Sequence, residues 1–231
     1  MHLMIEKDLS KISKSINNKP IFIFDFDGVL ADSVNIKTLA FCELYKEHGN
    51  SVVSKVVEHH KANGGMSRFE KFKYYHQNFL EIDLNEEDIE ELSNKFSGLV
   101  IESVIKCSGI RGAEEYLEKS YRNNKLLFVN SATPEPEIRE IIKRRRMNAY
   151  FTGVFGSPKS KLDNLRIILS EYNIGVDQIV FFGDALSDYE AANSLGCMFV
   201  GIGEDIEKIL SSHSSFPKQP LYLLEDFSEI L

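Results

Sequence analysis

Apolar residues recur along this chain in two ways. In one they run without interruption: Ile21–Phe24, 179–182 and Leu221–Leu224 are unbroken apolar tetrapeptides, and 126–130 and 197–200 have the same character. A strand with one wet face alternates, so a short run with no alternation predicts a strand buried on both faces of a parallel sheet. Residues 150–155 are expected to add a further strand. In the other, apolar residues return at helical spacing. Met4, Ile5, Leu9, Ile12 and Ile16 predict a helix closed by Asn17-Asn18 before Pro20. From 34 to 106 the strand-like runs disappear. Ile36, Leu39, Ala40 and Leu44, then Phe69, Phe72, Tyr75 and Phe79, then Ile89, Leu92 and Phe96 predict several helices, divided at Asn63-Gly64-Gly65 and at 83–85. After 109 strands and helices alternate, with a helix over 113–121. The expectation is an α/β, doubly wound (Rossmann-like) parallel sheet with an inserted helical unit.

Chemistry is concentrated where the unbroken runs stop. Ile21–Phe24 leads at once into Asp25, Asp27 and Gly28, and 179–182 into Gly183, Asp184 and, one turn later, Asp188. Along a strand, residues two apart share a side, about 7 Å apart at roughly 3.3 Å per residue. Asp25 and Asp27 are therefore expected together at the open end of the sheet, where α/β proteins bind ligands. Like charges beside an apolar strand need a compensating partner, and a hard divalent cation is one. The strand at 126–130 ends in Ser131. Thr133 and Pro134 then read as an N-cap and first helical residue, which would present the Ala132 amide and its neighbours to an anion.

Lys159 and Lys161 compete for the start of the next helix. Four and seven positions beyond Lys161 stand Leu165 and Ile168, on the stripe with Leu162 and Leu169 that should face the sheet; the same offsets from Lys159 give Asp163 and Arg166. Ser160 with Asp163 reads as a capping box that puts Lys161 in the first turn. In the helical insertion, Arg68 lies just beyond the Gly64-Gly65 break. A guanidinium there could reach a substrate anion bidentately; the plainer reading is a surface arginine. The adjacent His59-His60 reads as a solvated helix end.

DFDGVLADS at 25–33, Ser131 after a strand, a lysine at a helix start and GDALSD at 183–188 occur in the order of the four motifs of the haloacid dehalogenase superfamily, which the chain resembles over nearly its whole length after residue 18. The resemblance is to the phosphoglycolate phosphatase-like and β-phosphoglucomutase-like members with a helical C1-type cap. It implies a core of 1–33 and 107–231, with 1–18 a helical extension, and a cap of 34–106. It further implies Asp25 as nucleophile, Asp27 as acid and base, Ser131, Ala132 and Lys161 at the phosphoryl group, and Mg2+ held by Asp25, Asp27, Asp184 and Asp188. The implied activity is hydrolysis of a small phosphorylated metabolite of the phosphoglycolate or sugar-phosphate class. Two alternatives share these residue types. One is a phosphosugar mutase, whose relatives carry a histidine where this chain has Asn35, Ile36 and Lys37. The other is a phosphate-sensing module, which would lack the insertion.

Charge and cysteine content narrow the partners. A net charge of −8 and a pI near 5.3 argue against a nucleic-acid backbone binder. The one basic run, 143–146, fits a helix C-terminus on a solvated face. Cys42, Cys107 and Cys197 are odd in number and widely spaced, suggesting neither a disulfide framework nor a zinc site. Charges interrupt every apolar run of the first eighteen residues, and no stretch approaches a membrane span, so a cytoplasmic protein with no membrane partner is expected.

Overall fold

The computed structural model describes residues 5–211 and 221–231; Met4, expected in the first helix, lies outside them. Seven parallel strands form one sheet in the order β1-β7-β6-β5-β2-β3-β4. They are β1 (Ile5–Glu6), β2 (Ile21–Phe24), β3 (Leu126–Pro134), β4 (Gly153–Ser157), β5 (Ile179–Gly183), β6 (Met198–Ile202) and β7 (Leu221–Leu224). Ile5 was expected to be helical. It instead pairs with Leu221 at the sheet edge, and helix α1 (Leu9–Asn17) starts behind Asp8, whose carboxylate accepts from the Ser10 amide at 3.0 Å.

β2 is central, with Ile21 in register with Leu126 on one side and Ile179 on the other. Its four residues are all buried. Phe22 and Phe24 face one core and Ile21 and Ile23 the other, which is why the run shows no alternation. From β2 the chain moves outward through β3 to β4, then returns to place β5 against the opposite side of β2. This reversal opens a crevice at the carboxyl ends of β2 and β5.

Between β2 and β3 lies the helical insertion: α2 (Val34–Tyr45), α3 (Asn50–Ala62), α4 (Arg68–Tyr75) and α5 (Glu86–Lys106), then α6 (Ala113–Arg122), whose Tyr116 stacks on Phe22 at 5.9 Å. The glycine break and 83–85 separate these helices as expected. The inward face of α2 is Thr38, Phe41 and Tyr45 rather than the stripe through Leu39, which is 60% exposed. Phe41 packs on Phe96 at 4.5 Å, and the larger aromatic surface decides which way the helix turns. The remaining helices are α7 (Glu135–Arg144), α8 (Lys161–Glu171), α9 (Leu186–Leu195) and α10 (Ile206–Ser211). β3 continues to Pro134, so α7 begins later than predicted, with Pro134 as its N-cap residue. The basic run does close α7, but Arg145 is not simply solvated: its guanidinium donates to the carbonyls of Val104 (2.8 Å) and Cys107 (2.9 Å) at the C-terminal end of α5. Among the described residues no helix is long and apolar enough to cross a membrane.

Candidate active site

Asp25 follows the last residue of β2, and its amide still bonds to the Phe182 carbonyl of β5 at 2.9 Å. The chain then turns tightly, Gly28 taking φ 80° while its amide reaches the Ala31 carbonyl at 2.8 Å. A Cβ at Gly28 would stand 2.1 Å from an Asp184 carboxylate oxygen, so glycine is required both for the turn and for the approach of β5. Gly65 plays a similar part across the crevice: a Cβ there would meet the Ser187 hydroxyl at 1.7 Å, so the glycine break lets the insertion touch the start of α9.

Lys161 is the first residue of α8, behind Ser160, whose hydroxyl accepts from the Asp163 amide at 3.1 Å. The start of this helix is pinned from β3 and β4: Asn130 donates to the Lys161 carbonyl at 2.8 Å, and Asn164 donates to Asn130 and to the Gly156 carbonyl, both at 3.2 Å. Buried Lys161 then reaches Asp25 at 2.6 Å and Asp188 at 2.5 Å. Lys159 is exposed. The buried stripe of α8 is Lys161, Asn164, Leu165 and Ile168; Leu162 and Leu169 are half-buried beside it.

Oxygens of Asp25, Asp184 and Asp188 lie within 4.8 Å of one another. Asp25 is oriented on both sides, by Lys161 and by the Phe26 amide at 2.6 Å. Asp188 is likewise engaged, by Lys161 and by the Ala185 amide at 3.2 Å. For the Asp184 carboxylate no hydrogen bond or ion pair is present among the described residues. Burial and the neighbouring charges of Asp25 and Asp188 raise its pKa well above the ordinary value. Burial raises Asp188 too, against the pull of Lys161. For Lys161 the two carboxylates outweigh burial and hold it charged. A cluster with more negative charge than one lysine offsets, and with one carboxylate lacking a donor, fits a cation bound by oxygen ligands.

The Asp27 carboxylate is not in that cluster. It accepts from Ser33 (2.6 Å) and Thr133 (3.1 Å) and forms an ion pair with Lys37, which also donates to Thr133 at 2.7 Å. Burial opposes its charge, but Lys37 and these hydrogen bonds bring its pKa below the ordinary value. The sequence reading missed Thr133 as a site residue and noted Lys37 only for replacing a histidine. Their signals were modest: Lys37 lies one helical turn beyond Ser33, and Thr133 two residues beyond Ser131. Ser131 itself is buried, its hydroxyl accepting from the Thr133 amide at 3.1 Å. Ala132 and Thr133 line a cavity of about 590 Å³ with Asp25, Asp27 and Asp184 below and α2, α3 and α4 above.

Arg68 corrects the sequence reading. Its guanidinium is not offered to an anion from solution; it grips Glu137 of α7 through two bonds, 2.5 and 2.8 Å, donates to Ser97 at 2.7 Å and lies on the face of Phe96 at 4.6 Å. A carboxylate from the chain already fills its fork. His60 is also not solvated: it is buried and meets the Lys71 ammonium at 2.8 Å.

Residues 22–202 match the model of the haloacid dehalogenase-like hydrolases. A phosphoglycolate phosphatase from Mannheimia succiniciproducens is 24% identical over 154 residues, which is 64% of this chain and 67% of that protein. The fold is shared with β-phosphoglucomutase from Clostridium difficile (TM-score 0.74, 19% identity, 92% of this chain and 93% of that one). It is shared too with CbbY from Rhodobacter sphaeroides, solved in complex with phosphate (TM-score 0.69, 17% identity, 92% and 96%). With the four motif positions gathered at one sheet edge and the family model spanning most of its length, the chain belongs to the haloacid dehalogenase-like hydrolases.

Proposed function

We propose that the chain is a magnesium-dependent phosphatase that hydrolyses a small phosphorylated metabolite, of the phosphoglycolate or sugar-phosphate class, through an aspartyl-phosphate on Asp25. The observation carrying this reading is the orientation of Asp25 at the cavity floor, fixed by Lys161 and the Phe26 amide beside an unpartnered Asp184. Residues 1–33 and 107–231 would form the catalytic core, with 1–18 an extension, and 34–106 a cap over it.

Asp25, Asp184 and the Asp27 backbone carbonyl would hold magnesium, which when bound offsets negative charge so that a carboxylate can approach a phosphoryl group. Asp188 serves chiefly to hold Lys161. The Asp25 carboxylate attacks phosphorus, and the bond to the leaving oxygen breaks as that oxygen takes a proton from Asp27. Lys161, Ser131 and the amides around Ala132 stabilise the phosphoryl oxygens in transfer. Asp27, now a carboxylate, removes a proton from the water that cleaves the aspartyl-phosphate. Lys37 keeps Asp27 ionised in the free protein, the form suited to this second half. A phosphate ester that draws Lys37 toward its own oxygens removes that charge and lets Asp27 take up from solvent the proton that it gives to the leaving oxygen in the first half.

The test is phosphate release from a panel of phosphorylated metabolites with magnesium, the Asp25→Asn protein serving as blank. Release that Asp25→Asn abolishes supports the reading. An isomerised sugar phosphate without release, or a long-lived phosphoprotein with no product, overturns it.

A further inference from the structure

Four cations line the cavity from the inserted helices: Lys37, Lys61, Arg68 and Lys71. Lys37 is paired with Asp27 and Arg68 with Glu137, while Lys61 is exposed to water. Lys71 differs from all three. It is 2% exposed, yet among the described residues no carboxylate forms an ion pair with it. Its ammonium meets His60 Nδ1 at 2.8 Å and lies 5.6 Å from the centre of the Phe41 ring. Burial and Lys71 bring the His60 pKa to about 3, so the imidazole is neutral and Nδ1 accepts. One of three ammonium donors is thereby used. A buried ammonium with neutral neighbours bears an unoffset desolvation cost, which an incoming anion removes.

We infer that Lys71 is the specificity group of this cavity, binding a second anionic group, carboxylate or phosphate, on a phosphate ester whose other end lies at Asp25. The inference rests on the phosphatase reading and narrows it to doubly anionic substrates. The acidic floor handles the phosphoryl group, while the roof recognises the far end. A cavity of about 590 Å³ has room for both. Burial brings the Lys71 pKa to about 7, Lys37 and Lys161 pulling the same way against Asp27 and Glu70, so an anionic ligand also draws a proton onto it.

The test uses matched esters: phosphoglycolate against ethyl phosphate, which has a methyl group in place of the carboxylate, and glucose 1,6-bisphosphate against glucose 1-phosphate. In wild type, kcat/KM should favour the doubly anionic member of one pair by about 10- to 100-fold, the range of one hydrogen bond to a charged group. The favoured pair identifies the second anion. Lys71→Met should reduce that ratio to within about threefold, mainly through KM, and Lys71→Arg should retain part of it. Should Lys71→Met not fold, the wild-type ratio between pH 6 and 9 decides, because it falls as Lys71 loses its proton. The groups facing Lys71 are Lys37, Lys161, Asp27, Glu70, His59 and His60, and titration common to both esters cancels in the ratio. No discrimination in either pair, a ratio unchanged in Lys71→Met, or a ratio flat with pH overturns the inference. Loss of phosphate release from every ester, p-nitrophenyl phosphate included, overturns the phosphatase reading instead.

Discussion

Replacing Lys161 by methionine removes the only ammonium that touches the acidic cluster among the described residues, and the structure sets the size of the effect. Two charge-assisted bonds disappear, 2.6 Å to Asp25 and 2.5 Å to Asp188, among side chains no more than 7% exposed. Breaking a buried pair from one side typically costs about 3–5 kcal/mol because a charge is left uncompensated. Here the lower end applies, since the cluster can take up a proton: burial and like charges already raise the Asp184 and Asp188 pKa values. About 3 kcal/mol in a chain of this size lowers Tm by roughly 6–12 °C. Turnover should fall by about 10²–10³-fold, the usual loss for one transition-state donor.

The pH dependence has a definite sign. Carboxylates with raised folded-state pKa values make the native state bind more protons than the unfolded chain, so they subtract stability as pH rises through the window above their ordinary value. Without Lys161 that window widens, and the deficit should be larger at pH 8 than at pH 5. Steady-state phosphate release and thermal melts of metal-free protein at both values measure the two effects. Lys159→Ala, on an exposed side chain, should stay within a few-fold of wild type. A greater loss from Lys159→Ala, or less than a tenfold loss from Lys161→Met, would refute the placement of the catalytic lysine.

Exhaustive chelation should abolish phosphate release and added magnesium should restore it; undiminished turnover would exclude the metal. Asp25→Asn should abolish turnover, whereas Asp27→Asn, which keeps the backbone carbonyl, should accumulate phosphate on Asp25, and mass spectrometry finding it elsewhere would contradict the division of roles. Glu137→Ala, which strands the buried Arg68 charge, should lower unfolding free energy by about 3–5 kcal/mol in denaturant titrations. The double replacement Arg68→Met with Glu137→Leu should recover most of that loss.

The sheet was legible because each central strand is buried on both faces and so writes itself as an unbroken apolar run; β2 and β7 fall where the runs do. The acidic positions were legible for a related reason. Asp25, Asp27 and Asp184 each break or follow such a run, and a carboxylate next to a buried strand has few structural uses. Lys161 could be separated from Lys159 by the stripe it shares with Leu165 and Ile168. The partners of Asp27 were not legible, because Lys37 arrives from a helix whose rotation depends on aromatic packing and Thr133 from the end of β3, which runs on to Pro134 instead of giving way to a helix. Ile5 gave no strand signal, since two residues at a sheet edge are too few to show a period. Arg68 was misread for a different reason: whether a guanidinium meets a ligand or a carboxylate of its own chain depends on α7, sixty-nine positions away.

The pairing of Arg68 with Glu137 also bears on how the insertion sits over the sheet. Among the described residues three ion pairs join them: Lys37 with Asp27, which retains some water contact, Arg68 with Glu137, which is nearly dry, and Arg144 with Glu102, which is exposed at the far end of α5. Lifting α4 and the start of α2 from the sheet would separate the first two. For a dry pair the Coulombic attraction lost is largely returned as hydration of the two ions, so its net hold is weak despite the short distances. What the dry pair does resist is displacement by a fraction of that opening, since a guanidinium shifted sideways loses its bidentate fork before water can reach either charge. The wet pair tolerates such a shift, because a single ammonium can follow its carboxylate. The Arg68 contact therefore fixes the position of α4 against α7 rather than the strength of their association, and it does so on the same helix that carries Lys71. Recovery of stability in the Arg68→Met, Glu137→Leu protein, accompanied by loss of discrimination between singly and doubly anionic esters, is the result this reasoning requires; unchanged discrimination would show that packing around Phe96 alone sets the position of α4.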